Sequence, residues 1–409
     1  MSTLHQDPRF RALVRSQLSR RALLRGVGGA GVAAALAACG TGDTGDTGNG
    51  TGPAAKPSPT VEDKSDTEKI VRWANWPAYL DYHGKTKTYP TLEKFEEQTG
   101  IKATYSEDID DNDTYYAKIQ GQLKNGQDIG KDIVVFTDWM AARMIRQGYT
   151  QKLDKSNIPN ASNLNAKLQD VSFDPGREHT LTWQSGYAGI GYRKDKVGRE
   201  LRTMEDLWAP DLKGKIVVLS EMRDTVGLIM LSQGVDISKK FTEDQFMSAL
   251  DVLQKQIDSG QIRQVKGNSY LEDLRSGNAI ASIAWSGDIL LAQFEEEDPN
   301  YTFTIPETGG TLWSDNLMIP VASPYKTNAE KLFNFYYDPV IAAEVAAWVN
   351  YICPVDGAKE AMEEIDPSLV DSPLIFPTEE DLAAVKVFYN LSPDEELQYS
   401  EEFQKVIGN

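Results

Sequence analysis

The stretch KDIVVFTDWMAARMIRQG, residues 131–148, decides the fold class. Its apolar run at 133–136 has the length and composition of a strand buried on both faces of a parallel sheet. The residues that follow are predicted to form a helix, and Gly148 provides a helix stop. A buried strand leading directly into a helix predicts an α/β domain with a mostly parallel sheet.

The same alternation of strand and helix occurs upstream. In order, the predicted elements are a strand at 69–75 (KIVRWAN), a helix at 90–100 (PTLEKFEEQTG), a strand at 101–107 (IKATYSE) and a helix at 114–126 (TYYAKIQGQLKNG).

It is repeated downstream, which predicts a second α/β lobe. The predicted elements are a strand at 214–220, a helix at 225–234 led by Asp224, a long helix at 242–260, a helix running into an apolar strand at 268–288, and late helices at 331–351 interrupted at Pro339. No internal sequence repeat is evident.

The first 38 residues indicate an export signal. Arg20 and Arg21 precede a weakly apolar run at 27–38, which is too short and too rich in Gly and Ala to span a bilayer. Small residues then end the segment, as in a signal peptide, and the paired arginines favour the twin-arginine route.

The sequence LAAC at 36–39 resembles the bacterial lipobox, which implies lipidation of Cys39. A secretory signal with an incidental Cys is the alternative. If Cys39 is lipidated, Cys353 is left as a free, buried thiol, whereas two unmodified cysteines could form a disulfide in an oxidising compartment.

Residues 39–67 are predicted to form a flexible tether, since they are rich in Gly, Thr, Asp and Pro and nearly devoid of apolar side chains. The formal net charge of the chain is −19, and the leader is basic, so the rest is more acidic still. Nucleic-acid binding requires basic patches, so no nucleic-acid partner is expected.

Enzyme motifs are absent from the sequence. There is no nucleophile elbow, P-loop, H-E-x-x-H or C-x-x-C, and the chain has only three His. We therefore expect neither catalysis nor a metal or other cofactor.

Four short segments are rich in aromatic or acidic residues, and each lies at or near a predicted strand end. They are NWPAY at 75–79, LSEMRDT at 219–225, IAWSGD at 283–288 and TLWSDNLMIP at 311–320. Such ends line the clefts of open α/β sheets. A Trp face attracts a cation, and a carboxylate binds an ammonium group by charge-assisted hydrogen bonds. These segments predict a slot for an alkyl chain carrying amines.

Taken in order, these segments make the chain resemble the spermidine- and putrescine-binding proteins of bacterial polyamine ABC transporters. The similarity runs from about Ile70 to the C-terminal helix. It implies an α/β periplasmic-binding fold of two lobes, joined by hinge crossovers, with the ligand between them. We expect lobe 1 to comprise 68–183 and 316–363, and lobe 2 to comprise 184–315 and 364–409.

The resemblance also implies which side chains contact the polyamine. They are Trp76, Tyr79, Thr137, Trp139, Glu221, Asp224, Trp285, Asp288, Trp313, Asp315 and Tyr351. Of these, Asp315 is the strongest candidate, because an acid between apolar stretches is costly to bury without a partner.

Some of these residues have structural alternatives. Asp224 could be a helix N-cap, and Trp139 and Trp285 could be ordinary core. The chain also departs from the family, which usually has an acid where Ala78 stands; Asp81 is a possible substitute. The family's C-terminal contact has no clear counterpart, although residues 388–390 are the expected place.

The expected function is that of a lipid-anchored, monomeric receptor on the outer face of the cytoplasmic membrane. It would capture a polyamine and deliver it to an ABC transporter permease. Two alternatives are a receptor of the same fold for another cationic amine or an amino-acid-derived solute, and an extracellular enzyme with an unrecognised site.

Overall fold

The computed structural model describes residues 61–109, 111–169 and 171–408. The predicted export signal, Cys39 and residues 40–60 of the predicted tether lie outside the described residues. Residues 61–67 were also predicted to belong to the tether, but they pack on the body: Lys64 N donates to Pro324 O at 2.8 Å and Ser65 is buried. The folded part therefore begins before residue 68.

The described chain contains ten strands. They are β1 (Ile70–Asn75), β2 (Lys102–Glu107), β3 (Ile133–Thr137), β4 (Thr180–Arg193), β5 (Ile216–Leu219), β6 (Ile262–Lys266), β7 (Ala281–Trp285), β8 (Tyr301–Thr304), β9 (Gly310–Met318) and β10 (Val385–Val387).

Helices connect most of these strands. They are α1 (Pro90–Thr99), α2 (Asn112–Lys124), α3 (Asp138–Arg146), α4 (Lys194–Val197), α5 (Met204–Leu207), α6 (Met222–Ser232), α7 (Glu243–Asp258), α8 (Tyr270–Ser276), α9 (Ser286–Glu295), α10 (Lys326–Tyr336), α11 (Pro339–Val349), α12 (Ala358–Ile365), α13 (Glu379–Ala383) and α14 (Pro393–Ile407). The predicted α/β class is confirmed.

The strands form one mixed sheet in the order β2-β1-β3-β9-β4-β7-β5-β6, with β10 paired to β9 and β8 paired to β4. The pairs β1–β2, β1–β3, β5–β6 and β5–β7 are parallel, as the strand–helix alternation predicts. In contrast, β9 is antiparallel to both β3 and β4.

The two largest hydrophobic cores lie toward the two ends of this sheet, and β4 runs from one to the other. Leu181, near its start, packs in the first core with β1 and β3, whereas Ile190 packs in the second core with β5 and β7. Tyr399 of α14 also packs in the second core. Leu369 and Ile375 pack in the first core, beyond its predicted limit at residue 363. The exact lobe boundaries stay a prediction.

Within the described residues, no helix is both long and apolar enough to cross a bilayer.

Candidate functional site

A large cleft of about 2560 Å³ opens along the sheet, and every one of the eleven predicted ligand contacts lines it. Small-molecule pockets usually measure ~300–1000 Å³, so a small ligand would fill only part of this space. The aromatic and acidic side chains define which part.

Strand ends bring these residues together. Trp76 directly follows β1, Thr137 ends β3, Glu221 follows β5 by two positions and Trp285 ends β7. Carboxyl ends of parallel strands meet at one edge of a sheet, where α/β proteins bind ligands. The antiparallel strand β9 adds Asp315, whose Cα is paired with that of Thr137.

Asp315 is the one predicted acid on β9, and two side chains from neighbouring segments bind it. It is buried, with Oδ2 accepting from the Tyr79 hydroxyl at 2.8 Å and Oδ1 accepting from Thr137 Oγ1 at 2.7 Å. Burial raises the pKa of Asp315 to about 7, although both hydrogen bonds oppose the shift. A positive charge placed beside it would favour the ionised carboxylate.

Asp224 is a second buried carboxylate. Trp285 Nε1 donates to its Oδ2 at 2.8 Å, and Thr311 Oγ1 donates to Oδ1. Burial raises its pKa as well. The helix N-cap alternative is wrong, because α6 begins at Met222 and its N-cap is Glu221, which accepts from Arg223 N.

Asp288 lies in the first turn of α9, beside two tyrosines. Tyr351 donates to its Oδ1 at 2.9 Å and Tyr270 donates to its Oδ2 at 3.0 Å. The close approach of Tyr351 requires Gly287, since a Cβ there would lie 2.6 Å from the ring.

Tyr351 links the acidic groups through aromatic contacts. Its ring meets Tyr79 edge-on at 5.7 Å between centroids and meets Trp313 edge-on at 5.1 Å. Trp285 is half-buried, with its indole N–H engaged by Asp224, so it is not a purely apolar core side chain. Aromatic faces and carboxylates thus alternate around one slot.

Glu221 and Trp139 already face a cation of the protein. Arg223 lies 3.8 Å from the Glu221 carboxylate, and its guanidinium carbon is 4.2 Å from the centre of the Trp139 ring. Burial raises the pKa of Glu221 to about 8 despite this pairing. Trp139 packs in the core of the first half of the sheet, as one interpretation predicted; it also lines the cleft, and its contact with a ligand stays a prediction.

The outer end of the slot contains the loop after β1. Trp76 Nε1 donates to Val135 O at 3.1 Å, which fixes its indole at the cleft wall. Asp81, the proposed substitute for an acid at Ala78, faces away from the cleft and accepts from Thr91 N at 2.9 Å. Instead Glu107, which the sequence analysis missed, approaches Ala78: its Oε1 accepts from Ala78 N at 3.0 Å.

The chemistry of this arrangement favours a cationic solute with apolar connecting atoms. Carboxylates supply hydrogen-bond acceptors for ammonium groups, while aromatic faces cover methylenes and attract positive charge. Tyr270 and Thr311, which orient Asp288 and Asp224, were not predicted: Thr311 lies in a quoted segment but is neither acidic nor aromatic, and Tyr270 lies within a predicted helix. In the described part of the chain, no group of His, Cys, Asp and Glu is arranged to hold a metal ion.

Three further outcomes concern single predictions. Trp73 is fully buried, as its place in the alternating strand predicted. Cys353 is a free thiol, but it is half-buried at the cleft wall rather than buried, and desolvation of its thiol raises its pKa to about 12. Residues 388–390 line the cleft, where the missing C-terminal contact was expected.

Comparison with known proteins gives a consistent result. A family model described as bacterial extracellular solute-binding protein matches residues 91–376. The spermidine/putrescine-binding periplasmic protein of Escherichia coli K12 is 26% identical over 317 residues, covering 77% of this chain and 85% of that protein. The putrescine-binding periplasmic protein SpuD of Pseudomonas aeruginosa is 28% identical over 362 residues, covering 83% of this chain and 92% of that protein.

Among solved structures, a putative spermidine/putrescine ABC transporter protein from Listeria monocytogenes superposes with a TM-score of 0.71 at 25% identity. The alignment covers 83% of this chain and 99% of the other. The Tp0655 lipoprotein of Treponema pallidum, at 20% identity and a TM-score of 0.69, shares the fold.

Proposed function

The chain belongs to the family of bacterial extracellular solute-binding proteins, and from this premise we propose that it captures a polyamine of the putrescine or spermidine class and delivers it to an ABC transporter permease. The relatives named for these ligands support the proposal. The observation that carries it lies in the cleft itself: Asp315, Asp224 and Asp288 are each held by two side-chain donors among aromatic rings.

The proposed mode of binding follows from those contacts. Ammonium groups would bind to the carboxylates of Asp315, Asp224 and Asp288, where burial strengthens charge-assisted hydrogen bonds. The methylenes between them would pack on Trp313 and Tyr351. A bound ammonium group offsets the cost of keeping a charged carboxylate away from water. The ligand would therefore stabilise the closed state, in which these carboxylates face each other.

Closure is proposed to be a hinge motion of two lobes, with β4 passing between the cores. The lobes are those predicted, 68–183 with 316–363 and 184–315 with 364–409, with the first extended toward the start by the packed residues 61–67.

We further propose that the protein is exported by the twin-arginine route, cut before Cys39 and anchored by lipid to the outer face of the cytoplasmic membrane. The sequence around Arg20, Arg21 and Cys39 supports this proposal. It acts as a monomer, binds no nucleic acid and needs no cofactor. It carries out no covalent chemistry, in keeping with its membership of a family of solute-binding proteins.

A thermal-shift panel tests the function. Putrescine, cadaverine, spermidine and spermine would be compared with γ-aminobutyrate, arginine and glutamate at one fixed concentration. At 100 times its Kd a ligand stabilises the folded protein by about 2.7 kcal/mol, which raises the unfolding temperature measurably. At least one polyamine should do so, and stabilisation by none of them would contradict the proposal.

A further inference from the structure

A positively charged side chain of the protein lies at the end of the cleft that Glu221 and Trp139 form. This side chain is Arg223, in the first turn of α6; it lines the cleft with both of these residues and is only 11% exposed. Trp139 lies in the first turn of α3, which follows β3 in the other half of the sheet. Because the Arg223 guanidinium carbon is 4.2 Å from the centre of the Trp139 ring, the side chain of α6 meets α3 across the cleft.

The Trp139 ring already attracts cations of the protein. Besides Arg223, the guanidinium carbon of Arg143 lies 5.0 Å from the centre of the same ring. Both distances are within the ~6 Å at which an aromatic face attracts a positive charge. A ligand ammonium that approached Trp139 would therefore compete with two guanidinium groups.

The Glu221 carboxylate has the same cationic neighbour. Its Oε1 accepts from Arg223 N at 3.2 Å, and Nη1 of the Arg223 side chain lies 3.8 Å from that oxygen. Nη2 of the same guanidinium lies 3.9 Å from Glu396 Oε1. The guanidinium thus lies near two carboxylates and over an aromatic face, and this combination also suits a ligand ammonium elsewhere in the slot.

This end of the cleft adjoins the rest of the slot, whose three inner aspartates are Asp315, Asp224 and Asp288. Asp224 follows Arg223 directly in the chain. Its negative charge adds to the burial that raises the pKa of Glu221, which indicates that the two carboxylates are close. An ammonium group bound at Glu221 would lie beside the Arg223 guanidinium, and like charges repel strongly where water is largely excluded.

We propose that Arg223 takes the place of a ligand ammonium at Glu221 and Trp139, and thereby limits how many charges of a polyamine the slot can pair. This inference rests on the proposed function. The ammonium groups of the ligand are then confined to the three inner aspartates. A diamine or a triamine has no more charges than there are inner aspartates, whereas spermine, a tetra-amine, has one ammonium too many.

Calorimetric titration of the wild type with putrescine, spermidine and spermine at pH 8 and about 0.15 M salt is the first test. The fourth ammonium of spermine finds no carboxylate in the slot, so it should add little to the affinity. Spermine should bind at most about threefold more tightly than the preferred shorter amine, which is the better bound of putrescine and spermidine. A larger advantage for spermine would overturn the inference, and this result does not depend on any variant.

Titration of Arg223→Met is the second test. Methionine keeps an apolar side chain against Trp139 but removes the charge, which makes Glu221 accessible to an ammonium group. The affinity for spermine relative to that for the preferred shorter amine should rise about tenfold or more, the effect of one added charge-assisted hydrogen bond. A purely structural effect would weaken the binding of all three amines alike and would leave this ratio unchanged.

Arg223→Lys is the matched control, because lysine keeps the positive charge; its ratio should stay within about twofold of the wild-type ratio. If Arg223→Met also stays within about twofold, or if the ratio for Arg223→Lys rises as much as that for Arg223→Met, the inference is overturned and the proposed function stands. If the wild type binds none of these amines, both are overturned.

Discussion

The Tyr79 hydroxyl donates a 2.8 Å hydrogen bond to Asp315 Oδ2, although the two residues are 236 positions apart in the chain. This bond joins the loop after β1 to β9, in the middle of the sheet. Together with Thr137, it holds a buried carboxylate whose pKa is raised to about 7. The properties of this carboxylate lead to two predictions about pH.

The first concerns stability without ligand. Asp315 has a higher pKa when folded than the 3.8 of an unperturbed carboxyl, so the folded state binds the proton more tightly. Stability therefore falls as pH rises from about 4 to 7. Asp315→Asn removes this contribution and should be more stable than the wild type at pH 8 by about 1–3 kcal/mol. Urea unfolding of both proteins at pH 4 and pH 8 measures this difference in the free energy of unfolding. Equal stability of the two proteins at pH 8 would contradict the inference that the buried carboxylate of Asp315 destabilises the folded state.

The second concerns binding. Because the pKa of Asp315 is about 7, this residue is mostly protonated at pH 6 when no ligand is bound, whereas binding an ammonium group requires the ionised carboxylate. Polyamine affinity should therefore decrease as pH falls from 8 to 6, and binding should release protons. Titrations at pH 6.5 in buffers of different ionisation enthalpy count the protons. Asp315→Asn should release fewer, and an unchanged number would assign the release to another group, such as Glu221.

Glu396 is predicted to slow ligand release. It lies on α14, whose Tyr399 packs in the second core, yet it accepts from Arg143 and Arg146 of α3 at 2.6 and 2.7 Å. Parting the lobes would break this nearly buried ion cluster. Glu396→Gln should therefore increase the ligand dissociation rate by about fivefold to tenfold, as measured by stopped-flow tryptophan fluorescence.

Glu401→Gln is the control for that change, since it is exposed on the same helix. A dissociation rate for Glu396→Gln that matches the control would mean that the ion cluster does not resist opening.

Gly287 is predicted to be intolerant of a side chain. Its Cβ would lie 2.6 Å from the Tyr351 ring, so Gly287→Ala must displace Tyr351 from Asp288. We expect a loss of about 1–3 kcal/mol in stability and weaker polyamine binding. Gly121→Ala is the matched control, because nothing lies within 4 Å of its Cβ in helix α2. It should be stabilising by about 0.5–1 kcal/mol. If the two variants unfold alike, the tight packing is absent.

The sequence was sufficient to predict the α/β class, because the strand–helix alternation and the apolar run at 133–136 depend on local patterns. It also identified the acid–aromatic pairs, since strand ends with Trp and Asp are visible in the chain. The strand β4 was not predicted: Gly186, Gly189 and Gly191 weaken a strand pattern, and they are explained only by close packing. A Cβ at Gly186, for example, would lie 2.4 Å from Trp313.

Other parts of the site could not be predicted because they depend on tertiary contacts. Glu107 was overlooked since it reaches Ala78 only through the pairing of β1 and β2. Tyr270 and Thr311 became visible only when the folded chain brought them to Asp288 and Asp224. Asp81 failed as a substitute acid because its carboxylate is used by Thr91 at the start of α1.

The most direct measurement of the central claim is calorimetric titration of wild-type protein and Asp315→Asn with putrescine and spermidine at pH 8. Replacing the carboxylate by an amide of the same shape removes a charge-assisted hydrogen bond worth about 1.5–3 kcal/mol. The account predicts that the variant remains folded and binds the preferred polyamine about 10-fold to 100-fold more weakly. An affinity equal to that of the wild type would contradict it.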